Sequence, residues 1–130
     1  MGPDRKWIDD WMLGVDVERE RELGRWFLLH FAEFWVVEGL DRRSETTRRR
    51  YSGSLHALGG YLVKRAVSDD HAGDSAGELL WDAIDLDEGP LIFYDHEVRQ
   101  EELDRTCRRL YEHLLRRSRK EWSRKIGTQE

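Results

Sequence analysis

His30 and Glu33 lie three residues apart, a spacing that brings an imidazole and a carboxylate together on one helix face. A metal centre inside a helical bundle takes such pairs, as Glu-x-x-His, from two helices at once. The chain offers this one pair, reversed in order, and His56, His71, His96 and His113 are scattered without forming a second. His30 falls on the apolar side of its helix, so it reads as a hydrogen-bonded core histidine, and no metal ligand is assigned. Nucleophilic catalysis needs an activated Ser or Cys beside a base. Cys107 sits on an apolar helical stripe as a small buried residue, and no Gly-x-Ser-x-Gly occurs. Gly53, Gly59 and Gly60 fall inside a helical pattern rather than in a phosphate-cradling loop. The residues give no catalytic site, no metal and no cofactor, and the chain is read as not an enzyme.

Arginine supplies the remaining chemistry. Arg42, Arg43, Arg48, Arg49 and Arg50, with Glu45, give residues 42–50 a net +4. Residues 105–125 carry nine bases and two acids, a net +7, including Arg116, Arg117, Arg119 and Lys120. Between them, residues 68–104 hold thirteen acids and the single base Arg99, a net −12. Such segregation has two readings: the segments neutralise each other within the fold, or the basic residues face a polyanion or an acidic protein surface. The overall charge of −5 argues against strong non-specific DNA affinity, while a local basic patch still acts at short range.

The elements that would position these residues are helices. Asp16 caps a helix over about 17–38, with Leu23, Phe27, Phe31 and Phe34 in steps of three and four; Trp26, Trp35 and Val37 widen that face. Gly39 is the stop. Ser44 caps a second long helix, about 45–67, on the stripe Tyr51, Leu55, Leu58, Leu62 and Ala66. Gly59-Gly60 in its middle implies a close helix–helix approach or a kink. Residues 68–77 form an acidic loop, closed by the capping-box spacing Ser75-x-x-Glu78 of a helix reaching about 85. Asp87 to Pro90 is a turn, and Leu91 to Tyr94 an extended plug against the core. Asp95 caps a basic C-terminal helix, 96–125, whose stripe is Val98, Leu103, Cys107, Leu110 and Leu114, with Tyr111 and Leu115 beside it. Trp7, Trp11 and Met12 mark a short N-terminal helix.

These elements predict a single all-α domain over residues 1–130, a bundle of four or five helices. Its 38% hydrophobic content and six Trp argue against disorder. One cysteine excludes an internal disulfide and fits a reducing compartment. The start MGPDRKW lacks the apolar core of a signal peptide, and no run approaches ~18 apolar residues, so no membrane partner and a cytoplasmic location are expected.

Residues 31–67, FAEFWVVEGLDRRSETTRRRYSGSLHALGGYLVKRAV, resemble the N-terminal, SAM-like core-binding domain of tyrosine recombinases and phage integrases. Gly39-Leu40 matches the turn after the family's first helix, and Thr47, Tyr51 and Leu55 match the Thr-x-x-x-Tyr-x-x-x-Leu that opens the next. The resemblance implies a helical domain that clamps DNA through its backbone. It does not imply strand cleavage, because the catalytic domain with its Arg, His and Tyr set is absent from these residues. Two functions therefore compete. One is a nucleic-acid-binding accessory module working through Arg42, Arg43, Arg48, Arg49 and Arg50, joined by Arg116, Arg117, Arg119 and Lys120. The other is a protein-interaction module or homo-oligomer using Trp7, Trp11, Trp122 and complementary charged segments.

Overall fold

The computed structural model describes residues 2–84 and 88–127, with side chains described through Arg119. It is all-α, without a strand among the described residues: α1 (Lys6–Trp11), α2 (Val17–Val37), α3 (Glu45–Ala66), α4 (Ala76–Ala83) and α5 (Glu97–Gly127). Short 3-10 turns, Leu40–Arg42 and Asp69–His71, follow α2 and α3. No helix among the described residues is long and apolar enough to cross a membrane.

Local chemistry sets the boundaries. The side chains of Asp16, Ser44 and Ser75 each accept from the backbone N–H three residues on, at Arg19, Thr47 and Glu78, satisfying donors that the first helical turn leaves free. Gly39 ends the α2 segment at φ 63°, a left-handed value that a side chain disfavours. At the start of α5 the cap is His96 rather than the expected Asp95: its Nδ1 accepts from the Arg99 N–H at 3.3 Å and its carbonyl from Gln100.

α3 packs along α5 on one side and α2 on the other, α1 crosses α2 and α3, and α4 closes against α2 and α3. Phe27, Phe31 and Phe34 of α2, Leu55, Leu58 and Leu62 of α3, Leu79 and Leu80 of α4, and Leu103 and Leu110 of α5 are fully buried in one core. Each such side chain is worth about 1.5–3 kcal/mol of transfer free energy. Val37 and Val98, expected on the buried stripes, are each 60% exposed. Val98 precedes Leu103 by five residues, a step that turns it about 140° from that neighbour; Val37 falls about 60° beyond Phe34 on the side away from Trp35.

Gly59 is a point of close approach: a Cβ there would lie 2.1 Å from the Trp11 ring. The indole fills that place, and its Nε1 donates to the His56 carbonyl at 2.8 Å. Trp7 and Trp11, expected to be spare aromatics for a partner, are 9% and 3% exposed and belong to the core. The Trp122 side chain lies outside the described residues.

The acidic 68–77 stretch is tied down rather than loose. Arg19 donates from Nη2 to the carbonyls of His71 (3.0 Å) and Asp74 (2.9 Å) and from Nε to that of Ala66 (3.3 Å). The 91–94 run is only half the expected plug: Ile92 and Phe93 pack against the core, whereas Leu91 and Tyr94 face outward. Gln100 holds it, accepting from the Ile92 and Phe93 N–H groups and donating to the Pro90 carbonyl.

Candidate nucleic-acid interface

Ser44 starts α3 so that Arg48, Arg49 and Arg50 fall in its first turns. At about 100° per residue these three cannot share a face. Arg48 is half-buried, with its Nε enclosed and without an acceptor. Arg49 and Arg50 are exposed, as the inward direction of Tyr51 and Leu55 predicts. Arg49 pairs with Glu45 one turn back at 2.7 Å, an exposed contact worth a few tenths of a kcal/mol.

α5 runs antiparallel to this part of α3 and brings a second set of arginines up to it. A cavity of about 380 Å³ is lined by Thr47, Arg50 and Tyr51 from α3 and by Arg105, Arg108 and Arg109 from α5. A second cavity, of about 370 Å³, adjoins it and is lined by Arg49, Arg50, Arg99 and the Phe93 ring, over which the Arg99 guanidinium sits at 4.4 Å. Arg50 and Glu102 line both, so the two make one trough. Among the described residues, six arginines and one glutamate are its charged lining. Glu102 meets Arg50 at 3.5 Å. Arg105 and Arg109 have no ion-pair partner among the described residues and stand one turn, about 6 Å, apart along α5. An arginine fork matches a phosphate bidentately, and a trough lined mainly by one sign of charge concentrates the field it offers an anion.

The sequence-assigned residues divide. Arg49 and Arg50 line the trough. Arg42 and Arg43 are exposed at the α2–α3 turn, with the Arg42 guanidinium over Gly39. Arg116 and Arg117 are engaged elsewhere, pairing with α2: Arg116 with Glu38 at 2.9 Å, and Arg117 with Glu33 and with His30 Nδ1 at 3.1 Å. Arg119 is exposed near the end of the described side chains, and the Lys120 side chain lies outside them. Arg99, Arg105, Arg108 and Arg109 were not singled out, because only the antiparallel pairing of α5 with α3 makes them neighbours of Arg50. Between the basic 42–50 and acidic 68–104 segments, Arg50–Glu102 is the one ion pair among the described residues.

The His30–Glu33 pair is bound up with Arg117, and His30 lies half-buried against the Trp26 ring, centroids 3.9 Å apart and tilted by 37°, rather than in the core. Among the described residues no three His, Cys, Asp or Glu side chains converge as a metal site. Cys107 is buried beneath Gly89, where a Cβ would lie 2.5 Å from its sulfur. No protein-family model matches the chain, and neither does any curated protein or solved structure.

Proposed function

We propose that this chain is a non-catalytic binding module that holds the phosphate backbone of a nucleic acid in the α3–α5 trough. The observation that carries the reading is the concentration of Arg49, Arg50, Arg99, Arg105, Arg108 and Arg109 around one groove against a single carboxylate among the described residues, in a protein of net negative charge. The resemblance of residues 31–67 to a recombinase core-binding domain points the same way, since its Thr47 and Tyr51 line this groove and its Leu55 is buried. Backbone contacts of this kind fix register without reading sequence.

Titration of a labelled duplex against salt tests the proposal. Each phosphate contact contributes ~0.9 to the slope of log affinity against log salt, so Arg105→Ala with Arg109→Ala should flatten it by about 2 while helicity is retained. Absence of binding at tens of micromolar protein in low salt, a concentration within the roughly 1–100 μM range of non-specific affinity at physiological salt, would retire the reading.

Self-association is the second reading, and one observation favours it. Leu29 and Val36, seven residues apart on α2, are 67% and 70% exposed on nearly the same stripe. Sedimentation equilibrium should then give a dimer that Leu29→Lys with Val36→Lys dissolves.

A further inference from the structure

A separate cavity of about 680 Å³ lies between α1, the second half of α3 and the 91–94 run, and no arginine of the trough lines it. Its size is that of a small-molecule site, typically ~300–1,000 Å³. Gly60 forms part of its wall. Unlike Gly59, Gly60 is not required by packing: a Cβ there would sit 3.4 Å from Trp11 Cδ1, an ordinary contact. A glycine inside a helix is destabilising relative to alanine. What Gly60 preserves is the open space of the cavity.

The charged groups around that space are unequally matched. Asp10 is engaged by His56 at 3.0 Å, and His71 is taken up by Asp74 at 2.7 Å. Arg65 gives Nη1 to an uncharged acceptor, the Tyr61 hydroxyl, at 3.1 Å, and its Nε is enclosed without an acceptor. Lys64 is exposed and has no carboxylate partner among the described residues. Among the described residues, Lys64 and Arg65 thus have no carboxylate partner, while of the two acids in the lining Asp10 is held by His56 and Asp70 is exposed. At the rim, Leu91 and Tyr94 are 57% and 77% exposed, large apolar groups left in water beside an open cavity.

We infer that this cavity is a second binding site, for a small planar aromatic molecule bearing an acidic group. The ring lies against Gly60, Leu91 and Ile92, and the acid is held by Lys64 and Arg65. The site is independent of the trough.

The probe is 1-naphthalenesulfonate, followed by amide chemical shifts in a two-dimensional nitrogen–proton spectrum of the full chain. Saturable shifts centred on Gly60, Lys64, Arg65 and Ile92 are expected, with neutral 1-naphthalenemethanol binding roughly tenfold more weakly for want of the charge pair. Lys64→Glu, at an exposed position, should weaken the sulfonate by tenfold or more on the same reasoning, and Gly60→Leu should abolish binding by filling the space. If Gly60→Leu does not fold by circular dichroism, Lys64→Glu and the neutral analogue decide. Absence of shifts at about 1 mM probe, shifts centred elsewhere, or an affinity unchanged in Lys64→Glu would overturn the assignment.

Discussion

Glu20 is the polar side chain on which the α1–α2 turn depends, and replacing it with glutamine should be among the most damaging single-atom exchanges in the chain. It is 1% exposed, and its two oxygens accept from four consecutive backbone N–H groups: Oε1 from Leu13 and from Gly14 (3.1 Å), Oε2 from Val15 (2.9 Å) and Asp16 (2.6 Å). Hydrogen bonds to a charged group contribute about 1.5–3 kcal/mol each. In Glu20→Gln the amide oxygen keeps two of the four, while the new NH₂ opposes two N–H donors. Loss of two charged bonds amounts to about 3–6 kcal/mol, against a total stability of roughly 5–15 kcal/mol for a small domain. Urea denaturation followed by tryptophan fluorescence measures this directly. A loss below ~1 kcal/mol would show that the turn does not need the carboxylate and would refute the reasoning.

The same residue gives an acid signature. Burial pushes the Glu20 carboxyl up, but the backbone hydrogen bonds from Leu13, Asp16, Gly14 and Val15 together outweigh burial and hold it below its ordinary 4.5. A carboxyl depressed in the folded state binds its proton more readily when unfolded. Its stabilisation is therefore complete above pH 4.5 and lost as pH falls below that value toward the folded pKa. The wild type should lose more stability than Glu20→Gln across that window, and equal acid slopes would count against the assignment.

Other expectations follow from burial. Leu55→Ala and Leu110→Ala, both at fully buried positions, should each cost about 2–5 kcal/mol in chemical denaturation. Gly59→Ala should destabilise by about 1–3 kcal/mol, because Trp11 already occupies the place of the new methyl. His113 is 4% exposed with Nε2 unpartnered; burial lowers its pKa, against the opposing pull of Glu33 and Glu38 and with Arg116 and Arg117 adding to it. A histidine held neutral in the fold contributes stability that is full above its ordinary 6.5 and declines as pH drops below it. Thermal melts at two pH values on either side of 6.5 should show this decline, and His113→Leu should remove it.

Most of the fold was legible because it rests on short-range rules. The caps at Asp16, Ser44 and Ser75 and the stop at Gly39 need only a side chain and the backbone a few residues away, and each stands where the sequence puts it. The stripes from Leu23 to Phe34 and from Leu55 to Ala66 follow helical period, and the core took them. The stripe positions misread lie at helix ends, where period alone admits Val37 and Val98 to a face that the neighbouring helices do not cover. Glu20 was hidden for a different reason. No spacing rule marks a glutamate in a second helical turn as the acceptor for the loop before it.

The trough was half legible, and the missing half is instructive. Arg49 and Arg50 were readable as outward-facing because Tyr51 and Leu55 fix the inward direction of α3. Arg105 and Arg109 lie on a helix whose partner and direction the sequence does not state, and they become neighbours of Arg50 only when α5 lies antiparallel against α3. Charge counting alone favoured Arg116 and Arg117, which the fold instead spends on Glu38 and Glu33. The arginines available to a phosphate are thus those left without a carboxylate after the helices have packed. Among the described residues Arg105 and Arg109 meet that condition, and Glu102, at 3.5 Å from Arg50, is the one acid a phosphate would have to displace there. Glu102→Gln should accordingly strengthen duplex binding about five- to tenfold at low salt, the effect of removing one unit of repulsion near the surface. If the same exchange leaves binding unchanged in the salt titration, the anion does not lie in this trough.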